Sequence, residues 1–371
     1  MSFQTAHLPL HTTLFTFLTF FAFFSSFVSP GLYSPSTAQG AVTSFGLPHR
    51  KVFAIAIQSE DRIWIGTERG LALYDGEKFI HFFEEDGLPH DDVTSIALSR
   101  DKKSVWFGTF GGIAKWREDA RVGEEPFIKY TTQNSGLVND VVYGLACQGD
   151  SGEDIWIATT NGASHFDTIR GRWKTYNESN APFHEVWCYD VDVDEKDVVW
   201  FGVWGSGVMR FKKRKWTDYI DPDELFDIDL ERNDGNLHEI VTGVAIADGV
   251  CWAGAYFGLS RFDGKRWWNW TVADEDCGLP SDFINTVEAR GQTVWLGTDK
   301  GLCSFNWENK RWTTYRRKSN GKGEVRIFQD GKWTSKETRE AIPDNFVWSI
   351  AFQGEKIWVG TSAGIGVGTF E

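Results

Sequence analysis

Cysteine and positive charge are both scarce in this sequence of 371 residues. The five cysteines form no CxxC or Cys/His spacing and their number is odd, so neither a disulfide framework nor a zinc site is indicated. The 38 basic residues against 52 acidic ones leave a net charge of −14, the wrong sign for binding a phosphate backbone. Walker, Rossmann, HExxH and GxSxG motifs are also missing. We therefore expect no nucleic-acid partner, no metal centre and no cofactor.

Charged residues are missing from the first 49 positions, and the first one is Arg50. Within that stretch, residues 14–28 form a run of 15 apolar, Ser or Thr residues. A membrane-spanning helix needs about 20 such residues, whereas the apolar part of a secretory signal is shorter and precedes small residues such as Ala38 and Gly40. We predict that residues 1–40 are a cleaved export signal that directs the protein to the periplasm or the cell surface. Because no Lys or Arg precedes the run, an uncleaved leader that anchors the chain in a membrane is the alternative.

An element of the type apolar-Trp-apolar-Gly-Thr recurs seven times along the rest of the chain. Successive copies lie 42 to 63 residues apart, a period typical of propeller blades built from four short antiparallel strands. We expect each tryptophan in the core between neighbouring blades, because large aromatic side chains are usually buried. The seven residues are Trp64, Trp106, Trp156, Trp200, Trp252, Trp295 and Trp358.

Each repeat contains the pattern of four strands, which we name A to D in chain order. Strand A is an apolar run, strand B holds the tryptophan, strand C follows a glycine, and strand D carries two aromatics three residues apart. The seventh strand D is missing because the sequence ends at Glu371, and the segment AVTSF, residues 41–45, is its candidate replacement. We predict an all-β fold over residues 41–371: a seven-bladed β-propeller of four-stranded antiparallel blades, whose last blade is closed by the N-terminal strand.

The run from Ile63 to Val93, IWIGTERGLALYDGEKFIHFFEEDGLPHDDV, resembles the two-component regulator propeller repeat. That family occurs in the extracytoplasmic sensor regions of bacterial hybrid histidine kinases and in free-standing exported proteins. The resemblance covers residues 41–371 and rests on the repeated W-x-G-T, G-L and G-L-P elements. It implies a ligand-binding or protein-interaction scaffold rather than an enzyme, with a membrane sensor kinase as one candidate partner. Because the sequence ends after the seventh repeat, we expect no kinase in this chain.

Blades 4 and 5 differ from the others in the loops of one face of the ring, where the D–A and B–C loops lie. Two residues after the strand-B glycine they carry Trp204 and Tyr256, and the threonine found just before this position in the other blades is replaced. Before strand A, the same two blades carry His-Glu pairs. Because function often resides in variable loops on a rigid scaffold, we predict a ligand-binding site on this face. Its residues are His184, Glu185, Trp187, Trp204, His238, Glu239 and Tyr256.

Other interpretations of this face stay open. Histidine in such a turn often hydrogen-bonds nearby backbone, in which case the His-Glu pairs are structural. The same pairs could act as acid and base in a lyase or hydrolase similar to streptogramin lyase, another seven-bladed propeller, although we cannot match its catalytic motif here. A surface module that binds carbohydrate is a further alternative.

Two long insertions interrupt the repeats. Residues 218–234 contain eight acids and one base, Arg232. A solvated acidic D–A loop is the preferred interpretation, and calcium binding is the alternative, because the stretch fails the EF-hand pattern. Residues 317–343 contain VRIFQDGKWTS, which predicts an extra hairpin in blade 6.

Overall fold

The computed structural model describes residues 46–121, 124–221 and 235–369. They form seven antiparallel sheets in which consecutive strands of the chain are neighbours in space. This is the predicted all-β, seven-bladed propeller. The predicted leader, the AVTSF segment and most of the acidic loop lie outside the described residues. No helix in the described part of the chain is long and apolar enough to cross a membrane.

Blades 1 to 4 contain four strands each. Blade 1 consists of β1 (Val52–Ser59), β2 (Arg62–Thr67), β3 (Gly70–Tyr74) and β4 (Phe79–Phe82). Blade 2 consists of β5 (Val93–Leu98), β6 (Val105–Thr109), β7 (Gly112–Trp116) and β8 (Phe127–Tyr130). Blade 3 consists of β9 (Val142–Gln148), β10 (Asp154–Thr159), β11 (Gly162–Asp167) and β12 (Arg172–Tyr176). Blade 4 consists of β13 (Cys188–Val193), β14 (Val199–Val203), β15 (Gly207–Lys212) and β16 (Lys215–Tyr219).

Blades 5 to 7 differ in their number of strands. Blade 5 consists of β17 (Val241–Ala247), β18 (Val250–Ala255), β19 (Gly258–Phe262) and β20 (Trp267–Trp270). Blade 6 consists of β21 (Ile284–Arg290), β22 (Thr293–Thr298), β23 (Gly301–Asn306), β24 (Arg311–Arg317), β25 (Gly323–Gln329) and β26 (Lys332–Thr338). Blade 7 consists of β27 (Val347–Gln353), β28 (Lys356–Thr361) and β29 (Gly364–Thr369). Strands β25 and β26 are the predicted extra hairpin, which is therefore confirmed.

The strand-B tryptophans share one register in all seven blades. Each lies opposite the fifth residue of strand A, as Trp64 lies opposite Ala56. Because side chains alternate between the two faces of a strand, this register directs every tryptophan to the same face, against the next blade. Six of the seven are at most 5% exposed, and Trp358 is half-buried at the boundary with blade 1. The predicted core role of these residues is confirmed.

The A strands form the inner ring of the propeller. Each packs against strand A of the next blade, and β27 packs against β1, so the ring closes within the described residues. At this closure the Ser349 hydroxyl lies 3.5 Å from the Val52 carbonyl oxygen. The side chains at the start of each A strand therefore meet around the axis of the molecule.

Blade 7 has three strands in the described part of the chain, and β29 is the strand at its outer edge. A pocket of about 160 Å³ lies beside β29, lined by apolar side chains of blades 6 and 7 such as Leu302 and Val359 and by polar ones such as Arg316 and Glu340. Leu47 packs into the core between blades 7 and 1, so the described chain begins close to this edge.

Candidate functional site

Every strand A contains a β-bulge at its second residue. In β1, Val52 pairs with Thr67 and Ala54 pairs with Gly66, so Phe53 between them has no partner in β2. A bulge bends the strand and redirects the side chain of the extra residue. Each blade thus contributes one redirected side chain. These side chains lie at the end of the inner ring where the D–A loops lead into the A strands. The seven bulge residues are Phe53, Thr94, Tyr143, Tyr189, Thr242, Asn285 and Trp348.

The three polar bulge residues join neighbouring blades. The Thr94 hydroxyl donates a hydrogen bond to the Val142 carbonyl at 2.7 Å, and the Thr242 hydroxyl donates to the Ile284 carbonyl at 2.6 Å. The Asn285 side-chain amide donates to a backbone carbonyl of blade 7 at 3.0 Å. These three side chains are therefore structural. The four aromatic bulge residues lie instead against other aromatic rings.

Six aromatic side chains from blades 3 to 6 form one continuous surface, which we call the aromatic mouth. All six are partly exposed. Ring centroids are 5.4 Å apart for Tyr143 and Tyr189, 6.0 Å for Trp187 and Trp204, 6.0 Å for Trp204 and Tyr256, and 4.2 Å for Tyr256 and Phe283. The mouth thus consists of Tyr143, Trp187, Tyr189, Trp204, Tyr256 and Phe283.

The structure brings together the three aromatics that the sequence singled out, Trp187, Trp204 and Tyr256. Sequence reasoning missed Tyr143, Tyr189 and Phe283, because it compared the blades only at the loops. The signal for Tyr143 and Tyr189 was the second residue of strand A, which is aromatic in four blades and Thr or Asn in the other three. Phe283 lies one residue before strand A of blade 6.

The phenols of the mouth are neutral at physiological pH. Burial raises the pKa of Tyr143 to about 12, and it also raises the pKa values of Tyr189 and Tyr256. The rings of Tyr189 and Tyr256 also lie close to each other, with their centroids 6.5 Å apart. The mouth therefore presents aromatic faces and neutral hydroxyl groups to a ligand.

The loop that carries Trp204 is fixed by backbone hydrogen bonds. The Trp204 N–H donates to the Trp187 carbonyl at 2.8 Å, and Trp204 also forms an isolated β-bridge with Ile240 of blade 5. The carbonyl of Glu239, a buried residue, accepts the N–H groups of Gly205 and Gly207 at 2.9 and 3.1 Å. Glu239 therefore contributes to the site by positioning this loop through its backbone.

His238 lies three residues before strand A, at a turn position whose side chain accepts a backbone N–H in six of the blades. Its Nδ1 accepts the backbone N–H of Ile240 at 3.0 Å, and its ring stacks on the exposed Phe257 at 4.0 Å. Burial lowers the pKa of His238 to about 4, so its ring is neutral at physiological pH. The structural alternative, a turn residue bonded to nearby backbone, therefore describes His238. The equivalent acceptors are His49, His90, Asn139, Ser281 and Asp344.

His184 and Glu185 are not equivalent to the pair in blade 5. Glu185 aligns with His238, and His184 lies one residue earlier in the turn. Both side chains are exposed, and His184 Nε2 lies 3.7 Å from a carboxylate oxygen of Asp218. The buried hydroxyl of Ser206 accepts the backbone N–H groups of both residues at 2.9 Å. The two His-Glu pairs therefore make different contacts, although Glu185 and Glu239 both lie against Gly205 of the loop that carries Trp204.

Three carboxylic acids lie on the inner ring below the mouth. The fifth residue of strand A is Ala in five blades, but it is Asp192 in blade 4 and Glu288 in blade 6. Asp190 and Asp192 accept the N–H groups of Val244 and Ile246 in the neighbouring strand β17, each at 2.9 Å. Among the described residues, no group of three acidic, His or Cys side chains could hold a metal ion.

Burial raises the pKa values of these three acids. The pKa of Asp190 rises to about 7 and that of Asp192 to about 6, although backbone hydrogen bonds to each carboxylate act in the opposite direction. The pKa of Glu288 rises to about 8, because burial is reinforced by repulsion from Asp192 and Asp190. Sequence reasoning missed these acids, which only an alignment of the seven A strands makes visible.

Solved structures share this fold. Two are extracellular domains, from B. thetaiotaomicron, of proteins described as hybrid two-component systems. They have TM-scores of 0.62 and 0.64, identities of 18% and 16%, and coverage of 89% and 87% of this chain. The chain spans only 40% of the length of each of them. The third is virginiamycin B lyase from Staphylococcus aureus, with a TM-score of 0.57, 17% identity, and coverage of 87% of this chain and 96% of the lyase.

Sequence comparison adds no closer relationship, since no protein-family model and no curated protein sequence matches this chain. The structural neighbours therefore carry the comparison, at identities where a shared fold is what the similarity shows. The chain has the fold of these extracellular sensor domains, a seven-bladed β-propeller.

Proposed function

We propose that this protein is an exported binding module whose ligand contacts the aromatic mouth. The observation that carries the proposal is the convergence of six partly exposed aromatic side chains from four blades, two of them at a turn that is polar or small in most other blades. Exposed aromatic side chains in a continuous patch are typical of contact surfaces. The fold shared with extracellular sensor domains supports the same function. A membrane sensor protein is the partner that we propose to read out the bound state.

Catalysis at the same face is the second candidate, because the fold is also that of a lyase. An acid-base pair needs two side chains that reach the same bound substrate, one to accept a proton and one to donate a proton. His238 already accepts a backbone hydrogen bond, and His184 is exposed and near Asp218. These contacts favour the binding module.

A ligand screen with matched variants tests the binding site. We expect compounds from a library of sugars, amino acids, nucleosides and amines to raise the melting temperature of the parent protein. The double variant Trp204→Ala with Tyr256→Ala should lose at least about 2 kcal/mol of affinity for each such compound, about thirtyfold in Kd, because central aromatic side chains dominate binding. Isothermal titration calorimetry measures the loss.

Trp333→Ala is the matched control, since Trp333 is an exposed tryptophan on the outer strand β26, away from the mouth. It should bind as the parent does, and His184→Ala and His238→Ala should have smaller effects than the double variant. Unchanged affinity of the double variant for every compound would refute the site. Turnover of a compound that His184→Ala or His238→Ala abolishes would support the enzyme instead.

We also propose export to the periplasm or the cell surface with cleavage between about Ala38 and Gly40. The apolar run of residues 14–28 and the small residues after it support this proposal. Mass spectrometry of the mature protein should find its N-terminus in that window. Intact Met1 in a membrane fraction would contradict cleavage and support the anchor.

A further inference from the structure

The inner ring differs in charge between its two halves. Strands β13 and β21, which flank blade 5, carry Asp190, Asp192 and Glu288. The strands that pack against β21 are β17, β18, β22 and β27, and these four contain no Asp, Glu, His, Lys or Arg. Strand β21 itself ends with Arg290, an exposed residue whose guanidinium donates to the Gly354 carbonyl. Apart from Arg290, the charged groups that these strands, β13 and β21 bring to this part of the ring are the three carboxylates.

The acids follow residues of the aromatic mouth along the chain in blades 4 and 6. Tyr189 of the mouth immediately precedes Asp190 in β13, and Asp192 follows two residues later, about 7 Å further along the strand. Glu288 is five residues beyond Phe283, another residue of the mouth. The same blades, 4 to 6, therefore combine aromatic faces with acidic groups behind them.

We propose that the aromatic mouth binds a small organic cation of the ammonium type, with the inner-ring carboxylates as its electrostatic complement. This inference rests on the proposed function and specifies its ligand. Ammonium groups are attracted to the faces of Trp and Tyr rings, and the attraction grows when water is excluded. A neutral ligand of the same shape gains no such attraction from the rings or from the carboxylates.

The proposal fixes the direction of the pH dependence. Glu288 is repelled by Asp190 and Asp192, and Arg290 of the same strand is exposed. The Cys251 thiol of the adjacent strand β18 has a raised pKa and is neutral, and the phenols of the mouth are neutral as well. Because the pKa of Glu288 is about 8, it is mostly protonated at pH 6 and ionised at pH 9. A cation should therefore bind more tightly at pH 9 than at pH 6, whereas a neutral ligand should bind equally at both.

Matched pairs of probes test the charge requirement by calorimetry on the whole protein. The pairs are choline with 3,3-dimethylbutan-1-ol, and 1,5-diaminopentane with pentane-1,5-diol. At pH 9 we expect at least one cation to bind at least about tenfold more tightly than its neutral partner. Its affinity should fall severalfold at pH 6.

Two variants separate the contributions of the rings and the acids. Glu288→Gln should weaken the cation severalfold at pH 9, leave the neutral partner unchanged and reduce the pH dependence, of which Asp190 and Asp192 supply the remainder. Trp204→Ala with Tyr256→Ala should weaken both members of a pair. Melting curves establish that each variant is folded, and Trp333→Ala should bind as the parent does.

The outcomes distinguish the two proposals. Equal affinity within each pair, or no binding of either cation, overturns the cation inference. If a neutral compound from the wider library then binds in a manner that depends on Trp204, the proposed function stands with a different ligand class. If the double aromatic variant changes nothing for any ligand, the proposed function itself fails.

Discussion

At the scale of single residues, Glu288 shows how one position of the repeat acquires a special property. Five blades place Ala at this position, opposite the strand-B tryptophan, where space between neighbouring A strands is limited. A carboxyl group there loses much of its hydration, which raises its pKa to about 8. Asp192 at the equivalent position of blade 4 has a pKa of about 6 for the same reason.

The raised pKa of Glu288 predicts how its replacement changes stability with pH. An acid whose pKa is higher in the folded state than in the unfolded state binds more protons when folded, so its contribution to stability falls as pH rises from about 4.5 to about 8. Glu288→Gln removes this loss. We expect the variant to be at least about 1 kcal/mol more stable than the parent at pH 9.

The matched control is Glu355→Gln, a change of an exposed glutamate in a loop of blade 7. It should change the free energy of unfolding by less than about 0.5 kcal/mol at either pH. At pH 5, Glu288 is protonated in the folded protein, and Glu288→Gln should differ little from the parent. Denaturant unfolding at both pH values measures these differences, and a stability gain equal at pH 5 and pH 9 would contradict the titration of Glu288.

At the scale of elements, the B–C hairpin shows what a repeated threonine does. In five blades this threonine is buried, and its hydroxyl donates to a glycine carbonyl three residues later at 2.7 or 2.8 Å while accepting a backbone N–H of the turn. Blade 4 has Val203 instead, and its hairpin encloses three residues rather than two. There the hydroxyl of Ser206 bonds to the D–A loop.

Thr159→Val tests the role of this threonine in an ordinary blade. The substitution keeps the shape but removes a buried hydroxyl that makes two hydrogen bonds within the turn of blade 3. We expect a loss of about 1 to 3 kcal/mol in the free energy of unfolding, because buried backbone groups are left without partners. Thr334→Val on the exposed strand β26 is the control and should change stability by less than about 0.5 kcal/mol. A smaller loss for Thr159→Val than for Thr334→Val would show that the turn does not depend on this hydroxyl.

The elements also show which features a single sequence can reveal. The repeated Trp-x-Gly-Thr element located strand B, and counting its copies predicted the blades. The segment VRIFQDGKWTS within residues 317–343 predicted the extra hairpin of blade 6. The bulge at the second residue of strand A was not predicted, because it depends on how two strands pair and no residue type marks it. Tyr143 and Tyr189 were therefore missed, although they complete the surface formed by Trp204 and Tyr256.

The His-Glu pairs show the opposite limit. They look alike in the sequence, but one pair is shifted by a residue relative to its strand A, so His238 bonds to the turn and His184 is exposed. Only the hydrogen bonds of the equivalent turns reveal this difference in register. A pattern of residue types thus locates a variable face of the propeller without fixing which side chains meet there.

At the scale of the whole molecule, the ring has one weak point, the edge of blade 7. Strand β29 is an edge strand in the described part of the chain, next to the pocket between blades 6 and 7. An unpaired strand edge is unfavourable, because its backbone groups lack partners in the sheet. The described chain starts at the boundary between blades 7 and 1, where the Gly46 carbonyl oxygen lies 2.6 Å from His81 Nε2 of blade 1 and Leu47 packs into the core that the two blades share.

Two N-terminal truncations test whether the segment AVTSF closes the ring. A chain that begins at Ala41 keeps the segment, and a chain that begins at Gly46 lacks it. If Val42 and Phe45 pack beside β29, their loss exposes apolar surface and the backbone edge, and the shorter chain should melt at least about 5 °C lower. Because the two chains differ by five residues only, a general effect of removing the leader is the same in both. Equal melting temperatures would show that the ring is held by the contact of β27 with β1 alone and that the last blade is complete without this segment.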